Sequence, residues 1–444
     1  MTDNGHAGFK PGKGAGATVG VALLGMGTVG AEVLRLLNER AEEFAARIGG
    51  PLEVRGIAVG DLSKPRDGVD KALLTDDALS LVKRDDIDLV IEVIGGIDYP
   101  RQVVTTALEH GKSVVTANKA LIAAHADDLA TAAEESGVDL FFEAAVAAAI
   151  PVVGPLRRSL AGDKVNQVMG IVNGTTNFIL DAMYSRGASY DEMLAEATEL
   201  GYAEADPSAD VDGYDAASKA AILASLAFHT RVSGDDVHTE GIRHITVQDI
   251  EAARAANSTI KLLAICERLV DEDGKESVSA RVYPALVPTS HPLASVSESY
   301  NAVFVEAESA GRLMFYGNGA GGGPTASAVL GDVVAVARNI VHGGRGPGES
   351  TYADLPIAPF GEVTTRYHVD MQVDDRLGVL AEVAGVFSDA GVSLKTVRQE
   401  ELKNGARLVV ITHSAKEQDL DHTVNRLHQL DAVKSVDSVI RMEG

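Results

Sequence analysis

The chain has 444 residues, enough for about two to four domains. Hydrophobic residues make up 45% and charged residues 23%, an ordinary globular composition that excludes disorder as the default. The net charge of −25 argues against nucleic acid as a partner, because phosphate neutralisation needs clustered Lys and Arg. It also means that any phosphate or carboxylate must be captured locally.

Cys266 is the only cysteine, so no internal disulfide forms and the chain fits a reducing compartment. It follows the apolar run 260–265 and reads as a buried structural thiol rather than a nucleophile. No charge-free apolar stretch is long enough for a membrane span. Residues 1–17 are Gly- and Lys-rich without an apolar core. They read as a flexible tail, not a signal peptide, and a cytoplasmic location is expected.

From residue 18 the pattern alternates strand and helix. Strands are expected at 18–24, 52–59, 88–93, 113–116 and 139–143, with helices at 31–47, 101–110 and 126–136. Such alternation implies an α/β fold with a parallel sheet covered on both faces, over residues 18–147. The pattern then changes to an α+β domain over 148–341. A strand at 165–172 runs into Asn173-Gly174-Thr175-Thr176-Asn177, and Ser189 with Glu192 has capping-box spacing ahead of a helix. A long Ala-rich helix covers 215–229. Strand character follows near 259–269, 277–287 and 301–316, and a helix at 325–341 is expected to return to the first domain. Residues 342–362, rich in Gly, Pro and Ser, read as a linker. The last segment, 363–444, reads β-α-β-β-α-β. Its period-two strand carries Tyr367, Val369, Met371 and Val373, and Asn404-Gly405 is the expected centre of a hairpin turn.

Gly25-Met26-Gly27-Thr28-Val29-Gly30 is a GxGxxG between an apolar strand and an amphipathic helix, the context a Rossmann-type dinucleotide site requires. Gly25 permits the tight turn, Gly27 lets the backbone approach a pyrophosphate, and Gly30 lets helix and strand pack. Thr28 and Val29 open the helix whose free N–H groups would receive the phosphates. The second strand ends at Val59-Gly60-Asp61, followed by Lys64 and Arg66. Asp61 suits a ribose 2′-hydroxyl, whereas Lys64 and Arg66 suit a 2′-phosphate. The balance leans to NADP(H) over NAD(H), with a solvated turn as the alternative role for the two cations.

Residues 201–219, GYAEADPSADVDGYDAASK, gather Glu204, Asp206, Asp210, Asp212 and Asp215 beside Lys219. Asp215 and Lys219 share a helix face. A lone surface pair of this kind is worth only about 0.3–0.5 kcal/mol. Five acids beside one lysine, ahead of an Ala-rich helix, make a polar pocket the better reading.

This segment resembles the signature of homoserine dehydrogenases, which interconvert aspartate semialdehyde and homoserine. The family order is kept by Thr116-Ala117-Asn118-Lys119, Glu143-Ala144-Ala145-Val146 and Gly170-Ile171-Val172-Asn173-Gly174-Thr175-Thr176-Asn177, so the resemblance spans about residues 18–340. It implies Lys219 as proton donor to the carbonyl oxygen, Lys119 as a second active-site lysine beside the nicotinamide, and Glu204 and Asp215 as substrate-binding acids, with Asp210 among them. It further implies a monovalent cation, Na⁺ by analogy, on Glu143 and the carbonyls of Val146, Ala148 and Ile150. Ala147-Ala148-Ala149 departs from the glycines of many relatives, which is tolerable for carbonyl ligands if φ stays negative. The substrate carboxylate is assigned to N–H groups and hydroxyls at Gly174, Thr175 and Thr176.

Residues 364–444 resemble an ACT domain. Asp375, Leu377, Gly378 and Val379 lie in its first strand-to-helix loop, where free N–H groups suit an amino-acid carboxylate. In this family such a module implies feedback inhibition by threonine; a ligand-free dimerisation module is the alternative. A homodimer or homotetramer is expected. No aspartate-kinase domain precedes residue 18, which points to the monofunctional form. Aspartate-semialdehyde dehydrogenase, the rival enzyme, needs a cysteine nucleophile, and Cys266 is poorly placed for it. A non-catalytic nucleotide- and amino-acid-binding regulator would not need Lys119 and Lys219 together.

Overall fold

The computed structural model describes residues 11–66, 68–348 and 351–444. The first domain alternates β1 (Val19–Leu24), α1 (Thr28–Glu39), α2 (Ala41–Ile48), β2 (Leu52–Ala58), β3 (Leu74–Thr75), α3 (Ala78–Val82), β4 (Leu89–Glu92), α4 (Asp98–Glu109), β5 (Ser113–Thr116), α5 (Lys119–Glu135) and β6 (Leu140–Phe141). The strands run parallel in the order β3-β2-β1-β4-β5-β6, which reverses direction between β1 and β4. In sheets of this order the ligand crevice lies at the strand C-termini beside that reversal. Every residue of β1 is buried, as an unbroken apolar run in a two-sided sheet requires. The expected single helix 31–47 is two helices, broken at Arg40, where φ is −116°. Helix α5 starts earlier than expected, at Lys119, and is kinked at His125.

The second domain carries β7 (Val165–Ile171), α6 (Gly174–Arg186), α7 (Tyr190–Glu199), α8 (Ser208–Val211), α9 (Tyr214–Phe228), β8 (His238–Thr239), α10 (Val247–Ala255), β9 (Ser258–Val270), β10 (Glu276–Pro288), β11 (Tyr300–Ala307), β12 (Gly311–Asn318) and α11 (Gly322–His342). Ser189 and Glu192 form a reciprocal capping box at the start of α7. The stretch 301–316 is a hairpin of two strands, with Ala307 opposite Gly311. Ile179 and Met183 of α6 and Ala220 and Ala224 of α9 are buried with Leu262, Ala264 and Cys266 of β9 in one core. Helix α11 buries Val329, Val333 and Val336 with Val33 and Leu37 of α1, so the chain returns to the first domain.

The C-terminal unit is β13 (Thr364–Val373), α12 (Val379–Asp389), β14 (Leu394–Leu402), β15 (Gly405–Thr412), β16 (Ala415–Lys416), α13 (Glu417–Leu427) and β17 (Val433–Met442). Its sheet order β17-β13-β15-β14 continues from β10, because β17 runs parallel to β10 through Ala285–Arg441 and Leu286–Met442. The hairpin turn is centred one residue earlier than expected, on Lys403-Asn404. Gly405, at φ 117°, already pairs with Leu402 and alone carries the positive φ.

The segments expected to be a loose tail and linker are tied down where described. Lys13 donates from its backbone N–H to the Ile340 carbonyl at 2.9 Å, and its ammonium meets Asp88 at 2.6 Å. Gly346 donates to Asp139 at 2.8 Å, and Val278 and Ala358 donate to the carbonyls of Pro356 and Val278 at 2.9 and 2.8 Å. Residues 1–10, 349 and 350 of those segments lie outside the described residues. No described helix is long and apolar enough to cross a membrane.

Candidate active site

The glycine turn follows β1 directly. Gly25 has φ 103°, and a Cβ there would come within 2.7 Å of the Val93 carbonyl oxygen, so only glycine fits. A Cβ on Gly30 would lie 2.1 Å from the Gly25 carbonyl oxygen. At Gly27 a Cβ would meet nothing within 4 Å, so the fold does not need glycine there; the open space is room for a ligand. Thr28 is exposed and Val29 half-buried at the α1 N-terminus. At the end of β2, Asp61 accepts from the Ser63 N–H and hydroxyl at 2.9 and 2.6 Å. Arg66 folds back onto the carbonyls of Asp61 and Lys64, both at 3.0 Å. Lys64 is exposed on the same loop.

Across the sheet reversal, Glu92 is fully buried at the end of β4 and accepts from the Thr116 hydroxyl at 2.5 Å. Asn118 caps α5 by accepting from the Leu121 N–H at 3.1 Å and donates to the Gly96 carbonyl at 2.8 Å. These bonds fix the first residue of α5, Lys119, at the mouth of the crevice. Its ammonium meets Asp215 Oδ1 at 2.5 Å, while Lys219 meets Oδ2 of the same carboxylate at 2.7 Å. Lys219 also donates to the Val172 carbonyl at 2.6 Å. One carboxylate therefore joins a lysine from each domain.

Asn173, at the end of β7, donates to Asp210 at 2.7 Å and Asp215 at 2.9 Å, drawing Asp210 into the same group. Burial alone would push the Asp215 carboxyl up, but the two ammonium groups hold it far below the usual carboxylate range. Burial raises Asp210 despite its bond from Asn173. Burial pulls Lys119 down, and the Asp215 charge outweighs this, so it is raised and stays charged. Glu204 is exposed on the loop before α8, with its charge felt at Lys119. Thr175 donates to the Tyr202 carbonyl at 2.7 Å, and Thr176 to Asn173 Oδ1 at 3.0 Å. Both hydroxyls are thus engaged within the protein. What remains for a ligand at Gly174 and Thr175 is the N-terminus of α6.

The Glu143 carboxylate accepts from the N–H groups of Val152, Val153 and Gly154 at 2.7, 2.9 and 2.7 Å. It therefore caps that turn, and its backbone carbonyl accepts from the Val146 N–H at 3.4 Å. Ala147 and Ala148 have φ 54° and 43°, so the condition of negative φ is not met. The left-handed conformation costs about 1–2 kcal/mol at each alanine. Val146, Ala148 and Ile150 are buried, and among the described residues their carbonyls take no hydrogen bond. Unpaired buried carbonyls of this kind fit a monovalent cation.

In the C-terminal unit, Gly378 has φ 95° and precedes α12. Asp375 is exposed beside it, Val379 is buried, and Leu377 is 99% exposed. The loop borders a hollow of about 510 Å³ that Gln399 and Leu408 also line.

The family models agree with this layout. "Homoserine dehydrogenase, NAD binding domain" matches residues 25–143, "Homoserine dehydrogenase" matches 151–334, and "ACT domain" matches 367–432. Homoserine dehydrogenase of Corynebacterium glutamicum is 69% identical over 443 residues, covering 100% of both chains. The chain belongs to the homoserine dehydrogenase family. The enzyme of Mycobacterium tuberculosis is 59% identical, over 96% of this chain and 98% of its own. A crystal structure of homoserine dehydrogenase from Thiobacillus denitrificans superposes with a TM-score of 0.89 at 37% identity, covering 97% of this chain and 99% of that one. A hyperthermophilic archaeal homoserine dehydrogenase in complex with NADPH covers 72% of this chain and 98% of its own, with a TM-score of 0.61 at 29% identity.

The enzyme is thus an oxidoreductase built on a Rossmann-type nicotinamide-nucleotide domain with a C-terminal ACT module. The reading as a non-catalytic regulator is not favoured. Cys266 is fully buried on β9 with its thiol pushed up to about 12 by burial, which leaves no thiolate for the rival thioester chemistry. Asn173 and Val172 are functional neighbours that the sequence motif does not single out: Asn173 donates to the acids and the Val172 carbonyl accepts from Lys219, and their position directly before Gly174 is the available signal.

Proposed function

We propose that the enzyme reduces L-aspartate 4-semialdehyde to L-homoserine, reversibly, with a nicotinamide cofactor. The observation that carries the reading is the pair of lysines on one buried carboxylate at the end of the dinucleotide crevice. A nicotinamide bound in that crevice supplies the hydride. Lys219 stabilises the negative charge that develops on the aldehyde oxygen and gives it a proton. Asp215 orients Lys219 and keeps Lys119 charged. Lys119, half-exposed at the mouth, would sit beside the cofactor and complete the charge around the reacting carbonyl. Glu204, Asp210 and Asp215 supply anionic partners for the substrate ammonium, and the N-terminus of α6 at Gly174 and Thr175 takes its carboxylate.

Gly25, Gly27, Thr28, Val29 and Gly30 would hold the pyrophosphate. Lys64 and Arg66 would receive the 2′-phosphate of NADP(H), the preferred cofactor, with NAD(H) accepted less well. Arg66 must turn away from the carbonyls of Asp61 and Lys64 to do so. A monovalent cation, Na⁺ by its chemistry, would be held by carbonyls around Glu143, Val146, Ala148 and Ile150 and would keep the loop joining the two domains in place. Threonine would bind at Asp375, Leu377, Gly378 and Val379 as a feedback inhibitor. A homodimer or homotetramer in the cytoplasm completes the reading, with domains at 18–147, 148–341 and 363–444. Initial rates of aspartate-semialdehyde reduction with NADPH and NADH, with and without threonine, test it. Cofactor binding without turnover would reject it.

A further inference from the structure

Asn301 is the second residue of β11 and is 1% exposed, yet neither its Oδ1 nor its Nδ2 has a hydrogen-bond partner. A buried side-chain amide with both ends unpaired is rare in a folded protein and needs a reason. Its surroundings supply one. On one side, Ala302 pairs with Ile171, which sets Asn301 alongside Val172, the residue whose carbonyl takes the Lys219 ammonium at 2.6 Å. The end of the substrate helix is also close, since a Cβ on Gly174 would lie 3.5 Å from Asn301 Oδ1. On the other side, a Cβ on Gly319 would lie 1.9 Å from Asn301 Nδ2, so only glycine leaves the amide its space. Three residues further on, Gly322 abuts the dinucleotide turn, where its Cβ would lie 2.9 Å from Thr28 Cγ2.

Asn301 therefore stands between the pyrophosphate turn and the proton-donating lysine. A nicotinamide ring must occupy that interval if its hydride is to reach a carbonyl held by Lys219. The amide offers one donor side and one acceptor side. The nicotinamide carboxamide offers the reverse pair. A substrate carboxylate would satisfy Nδ2 and leave Oδ1 orphaned, and the substrate ammonium already has Glu204 and Asp210. We propose that Asn301 binds the carboxamide of the nicotinamide, fixing which face of the ring meets the substrate. The loop that covers it, through Gly319 and Gly321, is exposed or half-exposed and withdraws from the amide when the cofactor enters.

The inference rests on the dehydrogenase reading, and turnover of the aldehyde by the unaltered enzyme tests that reading separately. The present test needs no turnover. Equilibrium binding of NADPH and NADH to the full chain is compared with that of 2′-phospho-ADP-ribose and ADP-ribose, which lack the nicotinamide. Asn301→Ala should weaken both reduced cofactors about tenfold, the scale of one lost reciprocal pair of hydrogen bonds, and leave the two fragments unchanged. Asn301→Ser keeps a neutral group that can donate or accept one hydrogen bond; it should show a smaller loss confined to the same ligands, and it decides the matter if the alanine variant does not fold. Unchanged NADPH and NADH affinity in the variants overturns the proposal. Parallel weakening of cofactors and fragments overturns it in favour of a purely structural role.

Discussion

Asp215 holds Lys219 across one turn of α9 by an ion pair of 2.7 Å in which the two side chains are only 6% and 10% exposed. Its other oxygen holds Lys119 of the neighbouring domain. Removing one member of a buried pair leaves an uncompensated charge, which costs about 3–5 kcal/mol. Asp215→Asn should therefore destabilise the enzyme by about 3 kcal/mol near neutral pH. The sign of the pH dependence follows from the depressed carboxyl. Its stabilisation is fully present above the ordinary carboxylate value and is lost as pH falls below it towards the folded-state value. Denaturant titrations of both proteins should show a constant gap from pH 5 to 8 that narrows below about pH 4. A gap that widens in acid would contradict the assignment.

The same substitution removes the charge that raises Lys119 against its burial. The alkaline limb of the rate profile for aldehyde reduction should then move to lower pH, by about one unit or more. An alkaline limb unmoved by the substitution would show that Lys119 does not govern it.

Lys219→Ala tests the proton-donor role directly. Loss of a positioned acid and of charge stabilisation should lower kcat by about 10² to 10⁴. NADPH affinity should stay within twofold, because Lys219 bonds Asp215 and the Val172 carbonyl and neither belongs to the dinucleotide turn. A near-normal kcat would reject the role.

Locally encoded features were legible in the sequence. The capping box of Ser189 and Glu192, the buried strand Ser113–Thr116 and the glycine turn after β1 each depend on a few neighbouring residues, and each stands where the sequence put it. Features that depend on distant partners were not. Nothing local announces that Arg40 breaks a helix with continuous apolar spacing, or that Asn173 reaches Asp210 and Asp215. The hydroxyls of Thr175 and Thr176 looked free for a carboxylate, but the Tyr202 carbonyl and the Asn173 side chain take them. The left-handed backbone at Ala147 and Ala148 is invisible for a similar reason: it runs against the local preference of alanine.

The glycines of the turn separate folding from binding. Gly30→Ala places a methyl 2.1 Å from the Gly25 carbonyl oxygen and should lower Tm together with cofactor affinity. Gly27→Ala meets nothing within 4 Å and has φ −77°, so Tm should hold. NADPH binding should nonetheless weaken at least tenfold, because the added methyl occupies the approach to the pyrophosphate. Calorimetry of both variants, with and without NADPH, reads the two effects independently. Equal Tm losses would remove the distinction.

Arg441 of β17 joins the regulatory sheet to the catalytic domain. It is 2.7 Å from Glu240 and 2.9 Å from Glu417, and its guanidinium lies 4.6 Å from the centre of the Tyr283 ring. Burial alone would push the Glu240 carboxyl up, but His238 and Arg441 bring it down to about 2, so the contact stays charged through the neutral range. Beyond Glu240, a Cβ on Gly241 would lie 2.2 Å from the Val211 carbonyl oxygen, and Ile242 donates to that carbonyl at 2.8 Å. Val211 ends α8, the helix that carries Asp210. Two noncovalent contacts and the chain between them thus connect β17 to α8, which carries Asp210, the acid proposed for the substrate ammonium. Arg441→Met keeps the packing volume and removes the charge. It should leave kcat within about twofold, lower stability by a few kcal/mol and, with threonine as the effector we propose, raise its concentration for half-inhibition several-fold. Threonine inhibition unchanged in a folded Arg441→Met enzyme would show that the signal takes another route.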